Sequence, residues 1–164
     1  MEDFTIRKVS ITDAPAICGI YNYYVLNTAI TFETSAVTVE EMEKRIMDIS
    51  SAYPYLVFEE EGNVIGYCYV NSWKNRCAYS STAESSVYIH KDAHKKGIGS
   101  KLYKELLNEL KNTSLHAIIA GVALPNEASA RIHEKFGFQK IAHFKETGRK
   151  FGKWIDVAYW EIIL

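Results

Sequence analysis

Two glycines near the middle of the chain, Gly97 and Gly99, lie where an apolar stretch gives way to a helical pattern. The segment 87–102 reads as a strand, a loop and the start of a long helix, with Lys95 and Lys96 directly before the first glycine. Amides at a helix start are unpaired and carry the positive end of the helix dipole. Glycine leaves no side chain between those amides and a ligand. The sequence therefore predicts a phosphate or pyrophosphate site at residues 95–100.

The same spacing also occurs in helix starts that bind nothing. The glycine pair alone therefore fits either a phosphate site or an ordinary loop-to-helix turn. A Walker loop is excluded, because Gly97 has no Gly-Lys-Ser partner at the required distance. The dinucleotide-binding fingerprint is excluded too, since it needs three glycines after the first strand of a βαβ unit. Here the glycines follow the fourth predicted strand.

The elements that position these residues follow from periodicity and capping signals. Apolar residues recur every four positions from Ile98 to Leu110, as in an amphipathic helix, and 117–124 is an unbroken apolar run typical of a buried strand. Residues 61–63 mark a hairpin turn. The predicted strands are 4–7, 55–58, 64–70, 86–89, 117–124, 138–144 and 154–163. The predicted helix caps are Thr12 or Asp13, Thr38 with Glu41 reaching back, and Asn126, whose helix ends at Gly137.

This order, strand, two helices, three strands, helix, strand, helix and two strands, indicates an α/β or α+β layered domain with a mixed sheet. Neither a repeat nor a linker-like segment interrupts the 164 residues, so we expect a single domain over 1–164. Hydrophobic residues make up 48% of the chain and charged residues 24%, a balance typical of globular proteins.

The charge and the cysteines restrict the partners. The chain has 19 Lys plus Arg and 20 Asp plus Glu, so its net charge is −1. Such a protein has no general attraction to nucleic acid or to an anionic membrane, and we expect neither as a partner. The three cysteines form no CxxC pair and no metal-ligand spacing with the histidines. We therefore expect reduced thiols, no metal site and, in the absence of a long apolar segment, a cytoplasmic protein.

The chain resembles the GNAT acetyltransferases, whose shared motif reads Gln/Arg-x-x-Gly-x-Gly/Ala after the fourth strand. Gly97 and Gly99 match its glycines, and His94 departs from its first position. A second family element is matched by Asn126, by Ala128-Ser129 and by the run 132–138. The resemblance implies acetyl-CoA as the co-substrate and a mixed, mostly antiparallel sheet of about seven strands flanked by four helices. It also implies that Asn126 contacts the CoA arm, and we add Ile98, Ser100 and Ser129 to the expected cofactor site.

Within that family the chain is similar to the phosphinothricin/methionine sulfoximine N-acetyltransferase branch. The likeness covers nearly the whole chain and lies in the segments 20–22, 82–89, 124–126, 131–134 and 150–157. It implies acetyl transfer to the amine of a small amino-acid-like molecule. It implies a homodimer as well, which the aromatic-rich final strands also favour.

The resemblance further implies roles for individual residues. Glu84 would be the general base that removes a proton from the amine, although a solvated carboxylate at a strand edge would look the same. Backbone groups of Val87, Tyr88 and Ile89 would hold the pantetheine arm and polarise the thioester. His133 stands where many family members carry a tyrosine that protonates the leaving thiolate. A packed, hydrogen-bonded helix histidine is the equal alternative.

An amino-acid acceptor also carries a carboxylate, which needs a cation. Arg76 is our first candidate, because a guanidinium can bind a carboxylate with two hydrogen bonds. Lys150 and Lys153 are alternatives. Apolar walls of the acceptor site are expected from Phe32, Tyr79 and Trp73.

Two other functions remain open at this stage. The same fold and cofactor could serve a polyamine, an antibiotic or a protein N-terminus; a cationic acceptor of this kind would favour an acidic pocket. A non-catalytic module that binds CoA and signals to a partner is the third possibility.

Overall fold

The computed structural model describes residues 4–93 and 97–164. Within these ranges the chain forms one seven-stranded sheet with four α-helices, in the order predicted from the sequence. The strands are β1 Phe4–Lys8, β2 Tyr55–Glu60, β3 Asn63–Ser72, β4 Thr82–Ile89, β5 Ala117–Ala123, β6 Gln139–Lys150 and β7 Lys153–Ile163. The helices are α1 Ala14–Asn27, α2 Val39–Ser50, α3 Ile98–Leu110 and α4 Glu127–Lys135.

The sheet order is β1-β2-β3-β4-β5-β7-β6, and every pair is antiparallel except β4 with β5. The mixed, mostly antiparallel sheet expected from the sequence is therefore confirmed. The strands β4 and β6 are longer than predicted. Sequence patterns marked only their most apolar parts, whereas strand pairing extends them in both cases.

The N-caps of α1 and α2 differ from the sequence prediction in two respects. Thr38 caps α2, its hydroxyl accepting the Glu41 amide over 3.2 Å, but the Glu41 carboxylate accepts from Arg45 instead of reaching back. Asp13 makes no side-chain cap at α1. Its carboxylate binds the Arg7 guanidinium, with both oxygens at 2.8 Å.

The helices cover opposite faces of the sheet. Side chains of α3 and α4 pack with Ala83, Ile118 and Trp160 in one apolar cluster. Side chains of α1 and α2 pack on the other face with Val57 and Tyr67. Because side chains alternate along a strand, β2, β3 and β4 each send neighbouring residues to different clusters.

The feature that shapes the site is the short pairing of β4 with β5. The two parallel strands are joined only from Thr82↔Ala117 to Glu84↔Ile119, and over the rest of their described length they separate. A bulge in β4 does not cause the opening, since the register of β4 with β3 runs without a shift from Ala83 to Ile89. The sheet opens because β5 leaves β4.

Candidate active site

A cleft of about 600 Å³ occupies the opening between β4 and the starts of α3 and α4. A smaller space of about 60 Å³ continues from it between β4 and β5. Of the residues predicted from sequence to bind the cofactor, the described ones all line the larger cleft: Val87, Tyr88, Ile89, Gly97, Ile98, Gly99, Ser100, Asn126 and Ser129. The fold thus brings together residues from three separate parts of the chain.

The turn before α3 has the conformation that an anion cradle needs. Gly97 is the N-cap residue, with φ 73° and ψ 9°, and it offers no capping side chain to the helix amides. A left-handed conformation of this kind favours glycine over every residue with a Cβ. Gly99 is needed for packing, because a Cβ there would lie 3.0 Å from Ile132 Cδ1 and 3.2 Å from Ile89 Cδ1. The first amides of α3 therefore face the cleft without a partner from their own helix.

Among the described residues, α4 supplies positive charge near this turn. The predicted contributors Lys95 and Lys96, with His94, lie outside the described residues. Sequence reasoning missed Lys135, which lines the cleft and whose Nζ donates to Ser100 Oγ over 3.2 Å. It also gave no role to Arg131, another lining residue. The four-residue spacing of Arg131 and Lys135 places them on one helix face, a signal present in the sequence.

The backbone of β4 presents alternate groups to the opening. The His90 amide donates to Ile65 O of β3 over 2.8 Å, so the amides of Val87 and Ile89 point the other way, into the space between β4 and β5. Tyr88 lines the cleft, but its backbone faces β3. The Ile89 carbonyl accepts the Tyr24 hydroxyl over 2.6 Å, a contact that sequence patterns did not reveal. Among the three residues predicted to hold the pantetheine arm, the exposed strand edge belongs to Val87 and Ile89.

Asn126 caps α4 as predicted. Its Oδ1 accepts the Ser129 amide over 3.1 Å, which leaves the Nδ2 donors of Asn126 facing the cleft. The Ser129 carbonyl accepts from His133 Nδ1 over 2.7 Å. The Asn126 cap therefore stabilises the start of α4, where Asn126 and Ser129 line both the cleft and the smaller space.

Glu84 lies at the last residue pair before β4 and β5 separate. Its side chain is half-buried, and within the described part of the chain no hydrogen bond or ion pair holds its carboxylate. Burial raises the pKa of Glu84 above the usual carboxylate range. A Cβ on Gly121 would lie 3.1 Å from Glu84 Oε1 and 3.0 Å from Tyr159 Cε1, so these three residues are in close contact. Gly121 lines the space between β4 and β5, and a partly desolvated, unpaired carboxylate next to such a space is suited to accept a proton.

His133 is buried and hydrogen-bonded through both ring nitrogens. Nδ1 lies against the Ser129 carbonyl, which can only accept, so Nδ1 carries the proton and Nε2 accepts from the Tyr103 hydroxyl over 2.6 Å. The Tyr103 oxygen in turn accepts from Ser85 Oγ at 2.7 Å. Burial lowers the pKa of His133 to about 4. This geometry favours the packed histidine of the two interpretations from sequence, and a direct proton transfer from His133 stays a prediction.

The residues predicted to bind the acceptor, unlike those predicted to bind the cofactor, do not line one common cleft. Trp73 meets Tyr159 edge to face, with ring centroids 5.6 Å apart, and so belongs to the surface around Glu84. The Phe32 ring packs on Gly148, where an added Cβ would collide with the ring. Tyr79 stands on the exposed turn after β3 with Lys74 over its ring. Arg76 precedes that turn, is exposed, and has no side-chain hydrogen bond or ion pair among the described residues.

The alternative cation Lys150 is already engaged: its buried Nζ donates to Thr31 O over 2.7 Å. Lys153 is exposed. Residues 4–93 and 97–164 contain no cluster of three or more His, Cys, Asp or Glu side chains arranged to hold a metal ion. Nor does any helix in these ranges have the length and apolar character needed to cross a bilayer.

Comparison with known proteins adds independent evidence. The family model of the acetyltransferase (GNAT) domain matches residues 6–159. A phosphinothricin N-acetyltransferase of Streptomyces viridochromogenes is 35% identical over 95% of this chain and 85% of its own length. An L-methionine sulfoximine/L-methionine sulfone acetyltransferase of Salmonella typhimurium is 35% identical over 98% of this chain and 94% of its own.

A solved structure agrees with these sequence matches. The Salmonella typhimurium protein yncA, determined with its cofactor acetyl-CoA, superposes with a TM-score of 0.96 at 34% identity, covering 99% of this chain and 94% of that one. With the open sheet, the glycine turn and the carboxylate at the strand separation, these likenesses are decisive: the chain belongs to the GNAT family of acetyl-CoA-dependent N-acetyltransferases.

Proposed function

We propose that this enzyme acetylates the α-amine of a small amino-acid-like molecule of the phosphinothricin or methionine sulfoximine type. The observation that carries the proposal is the position of Glu84, which is unpaired within the described residues, half-buried where β4 and β5 separate, and next to Gly121, a residue that lines the space between these strands. The names of the relatives support the acceptor class, since each acts on an amino acid analogue.

The residues present fit acetyl-CoA. The Gly97 turn would hold the pyrophosphate through helix amides, with Lys135 and Arg131 nearby for its charge. The backbone of Val87 and the amide of Ile89 would pair with the pantetheine amides in the manner of an added strand. When bound, acetyl-CoA supplies an activated acetyl thioester.

Glu84 prepares the amine. An α-amino group has a pKa of about 8, so most of it is protonated at neutral pH and cannot attack. Burial raises the pKa of Glu84 towards that of the amine, and this makes the proton transfer less unfavourable. Gly121 leaves room for the acceptor next to this carboxylate, because it places no side chain there.

The strand edge supports the negative charge that develops on the carbonyl oxygen. The Val87 amide faces the opening and is our candidate donor to that oxygen. As the C–N bond forms, the C–S bond of the thioester breaks. The nitrogen then loses one proton and the CoA thiolate takes one up, so the products are the N-acetyl compound and the CoA thiol. Neutral His133 would act by fixing the Tyr103 hydroxyl and the Ser129 carbonyl at the bottom of the opening.

Arg76 is our proposed partner for the acceptor carboxylate. It is an unpaired guanidinium within the described part of the chain and lies in the same connection as Trp73, whose ring borders Tyr159. Removing its charge would weaken acceptor binding without a direct effect on the Gly97 turn. Arg149→Ala removes an equal charge from the exposed final hairpin and serves as the matched control.

The proposal includes a cytoplasmic homodimer. The cysteines support a reducing compartment, because Cys18, Cys68 and Cys77 are all free thiols. Several large apolar side chains of β6, β7 and their turn are exposed and suited to a partner subunit: Ile141, Phe144, Phe151 and Trp154.

The test is release of the CoA thiol from acetyl-CoA in the presence of a panel of amines, with the N-acetyl product identified by mass spectrometry. The panel contains methionine sulfoximine, phosphinothricin, a polyamine, an aminoglycoside and a peptide with a free N-terminus. We expect the highest kcat/KM for the amino acid analogues, and an acceptor KM at least tenfold higher in Arg76→Ala. A preference for the polyamine, with Arg76→Ala unchanged, would contradict the proposed acceptor class. Binding of acetyl-CoA without turnover of any amine would instead indicate a non-catalytic module.

A further inference from the structure

A lysine of the final hairpin reaches the loop between α1 and α2. Lys150 Nζ donates to Thr31 O over 2.7 Å, although the two residues are 119 positions apart. Lys150 is only 4% exposed, and burial lowers the pKa of its ammonium group. A buried ammonium that finds no partner is strongly unfavourable. This contact therefore fixes both the lysine and the backbone that it binds.

The backbone held in this way contributes to both halves of the site. We call residues 30–33 the strap. Ile30 lines both the cofactor cleft and the space between β4 and β5. Two residues later, the Phe32 ring lies on Gly148 of β6. The strap thus passes over the place where cofactor and acceptor would meet.

Other contacts attach the strap and its loop to α1 and α2. The Thr31 and Tyr21 hydroxyls are 2.9 Å apart. Glu33 pairs with Arg45 of α2 at 2.8 Å. Asn22 closes the loop by bonding both the amide and the carbonyl of Val37 at 2.8 Å. These contacts tie the strap to the helical face of the molecule, whereas Lys150 ties it to the hairpin across the site.

From this arrangement we propose that Lys150 is a positioning residue for the acceptor: its hydrogen bond to Thr31 O holds the strap so that Ile30 and Phe32 enclose the reacting groups. The inference rests on the proposed function, since it assigns a role within that same site. It gives Lys150 a different use from direct binding of the acceptor carboxylate. Loss of the contact should affect acceptor kinetics more than cofactor affinity, because neither Lys150 nor Phe32 is among the described residues that line the cofactor cleft.

Lys150→Met tests the proposal, since methionine has a similar length and apolar stem but no donor. With acetyl-CoA saturating, we expect the acceptor kcat/KM to fall at least tenfold, while the Kd for acetyl-CoA by calorimetry changes less than twofold. Amide hydrogen exchange over 28–37 should become faster. Lys150→Arg keeps a donor, so it should recover part of the acceptor kcat/KM and part of the slow hydrogen exchange over 28–37. Lys145→Met is the control, because it removes an exposed lysine from the same strand, and all three measurements should stay as in the wild type.

Gly148→Ala tests the strap with Lys150 intact, because the new Cβ would collide with the Phe32 ring and force that ring to move away from β6. The same acceptor-selective loss is expected. If Lys150→Met does not fold, this variant decides between a selective loss, which supports the proposal, and normal acceptor kinetics, which overturns it. A folded Lys150→Met with wild-type acceptor kinetics, or with equal losses for acceptor and cofactor, also overturns it. Hydrogen exchange does not require turnover. If the wild type acetylated no amine, faster exchange of the strap in Lys150→Met would still show that Lys150 holds the strap.

Discussion

Among single residues, the proposed chemistry depends on how Glu84 and His133 are desolvated. Burial moves their pKa values in opposite directions, upward for Glu84 and down to about 4 for His133. In both cases the neutral form is favoured. For Glu84 this makes a stronger base near neutral pH, and for His133 it removes the proton that direct acid catalysis would require.

Replacing Glu84 with Gln should lower kcat by about 10² to 10⁴, the range that general-base catalysis contributes. In the wild type, kcat at saturating substrates should fall as the pH drops through the raised pKa of Glu84, and the variant should lack this limb. The folded-state pKa lies above the unfolded value, so the neutral carboxyl stabilises the fold at low pH and this contribution is lost as pH rises. Glu84→Gln should therefore melt at a higher temperature than the wild type at pH 7 and at the same temperature near pH 4. An unchanged kcat in the variant would remove Glu84 from the base role.

The histidine gives the opposite dependence on pH. Its folded-state pKa of about 4 lies below the usual value, so its contribution to stability is complete above about pH 6.5 and is lost as pH falls towards 4. In His133→Gln, the free energy of unfolding should depend less on pH between about pH 6.5 and pH 4 than in the wild type. At pH 7 it should cost about 1–3 kcal/mol, because buried partners such as the Tyr103 hydroxyl lose their hydrogen bonds. Urea unfolding at several pH values measures both effects, and a wild-type slope retained in the variant would show that another group titrates.

At the scale of elements, the Gly97 turn and its helix form the part of the site most directly encoded by local sequence. Gly97 and Gly62 both have positive φ, 73° and 78°, and a Cβ on either would meet open space. Gly97→Ala and Gly62→Ala should each cost about 1 kcal/mol of stability. Only Gly97→Ala should also weaken acetyl-CoA binding, by about tenfold or about 1.4 kcal/mol in calorimetry. Equal affinities in the two variants would show that the turn does not hold the cofactor.

The order of the elements and the cradle could be predicted because their signals are local: periodicity, caps and glycines within a few residues of one another. The separation of β4 from β5 could not, since a strand pattern does not say where its pairing stops. The contacts of Tyr103 with His133 and of Lys150 with Thr31 join residues 30 and 119 positions apart. Such pairs depend on the packed fold, and one sequence carries no signal for them.

At the scale of the whole molecule, the exposed apolar surface of the final hairpin predicts self-association. Phe151 and Trp154 are 61% and 60% exposed, and a surface of this kind is usually covered by another chain. The double variant Phe151→Ser/Trp154→Ser should be monomeric by light scattering where the wild type has twice the chain mass of 18.7 kDa. Met47→Ser removes an apolar side chain that is 56% exposed on α2, and it should leave the dimer intact. A monomeric wild type at micromolar concentration would contradict this prediction.

We propose that Glu84, at the point where β4 and β5 separate, drives acetyl transfer to an amino-acid amine. The rate at which wild type and Glu84→Gln form N-acetyl methionine sulfoximine from acetyl-CoA, measured by mass spectrometry at saturating acetyl-CoA, tests this role. We predict steady product formation by the wild type and at least a hundredfold slower formation by the variant, with acetyl-CoA affinity equal in both. Product formed at the same rate by both proteins would exclude Glu84 as the base, and product formed by neither would exclude acetyl transfer to this amine.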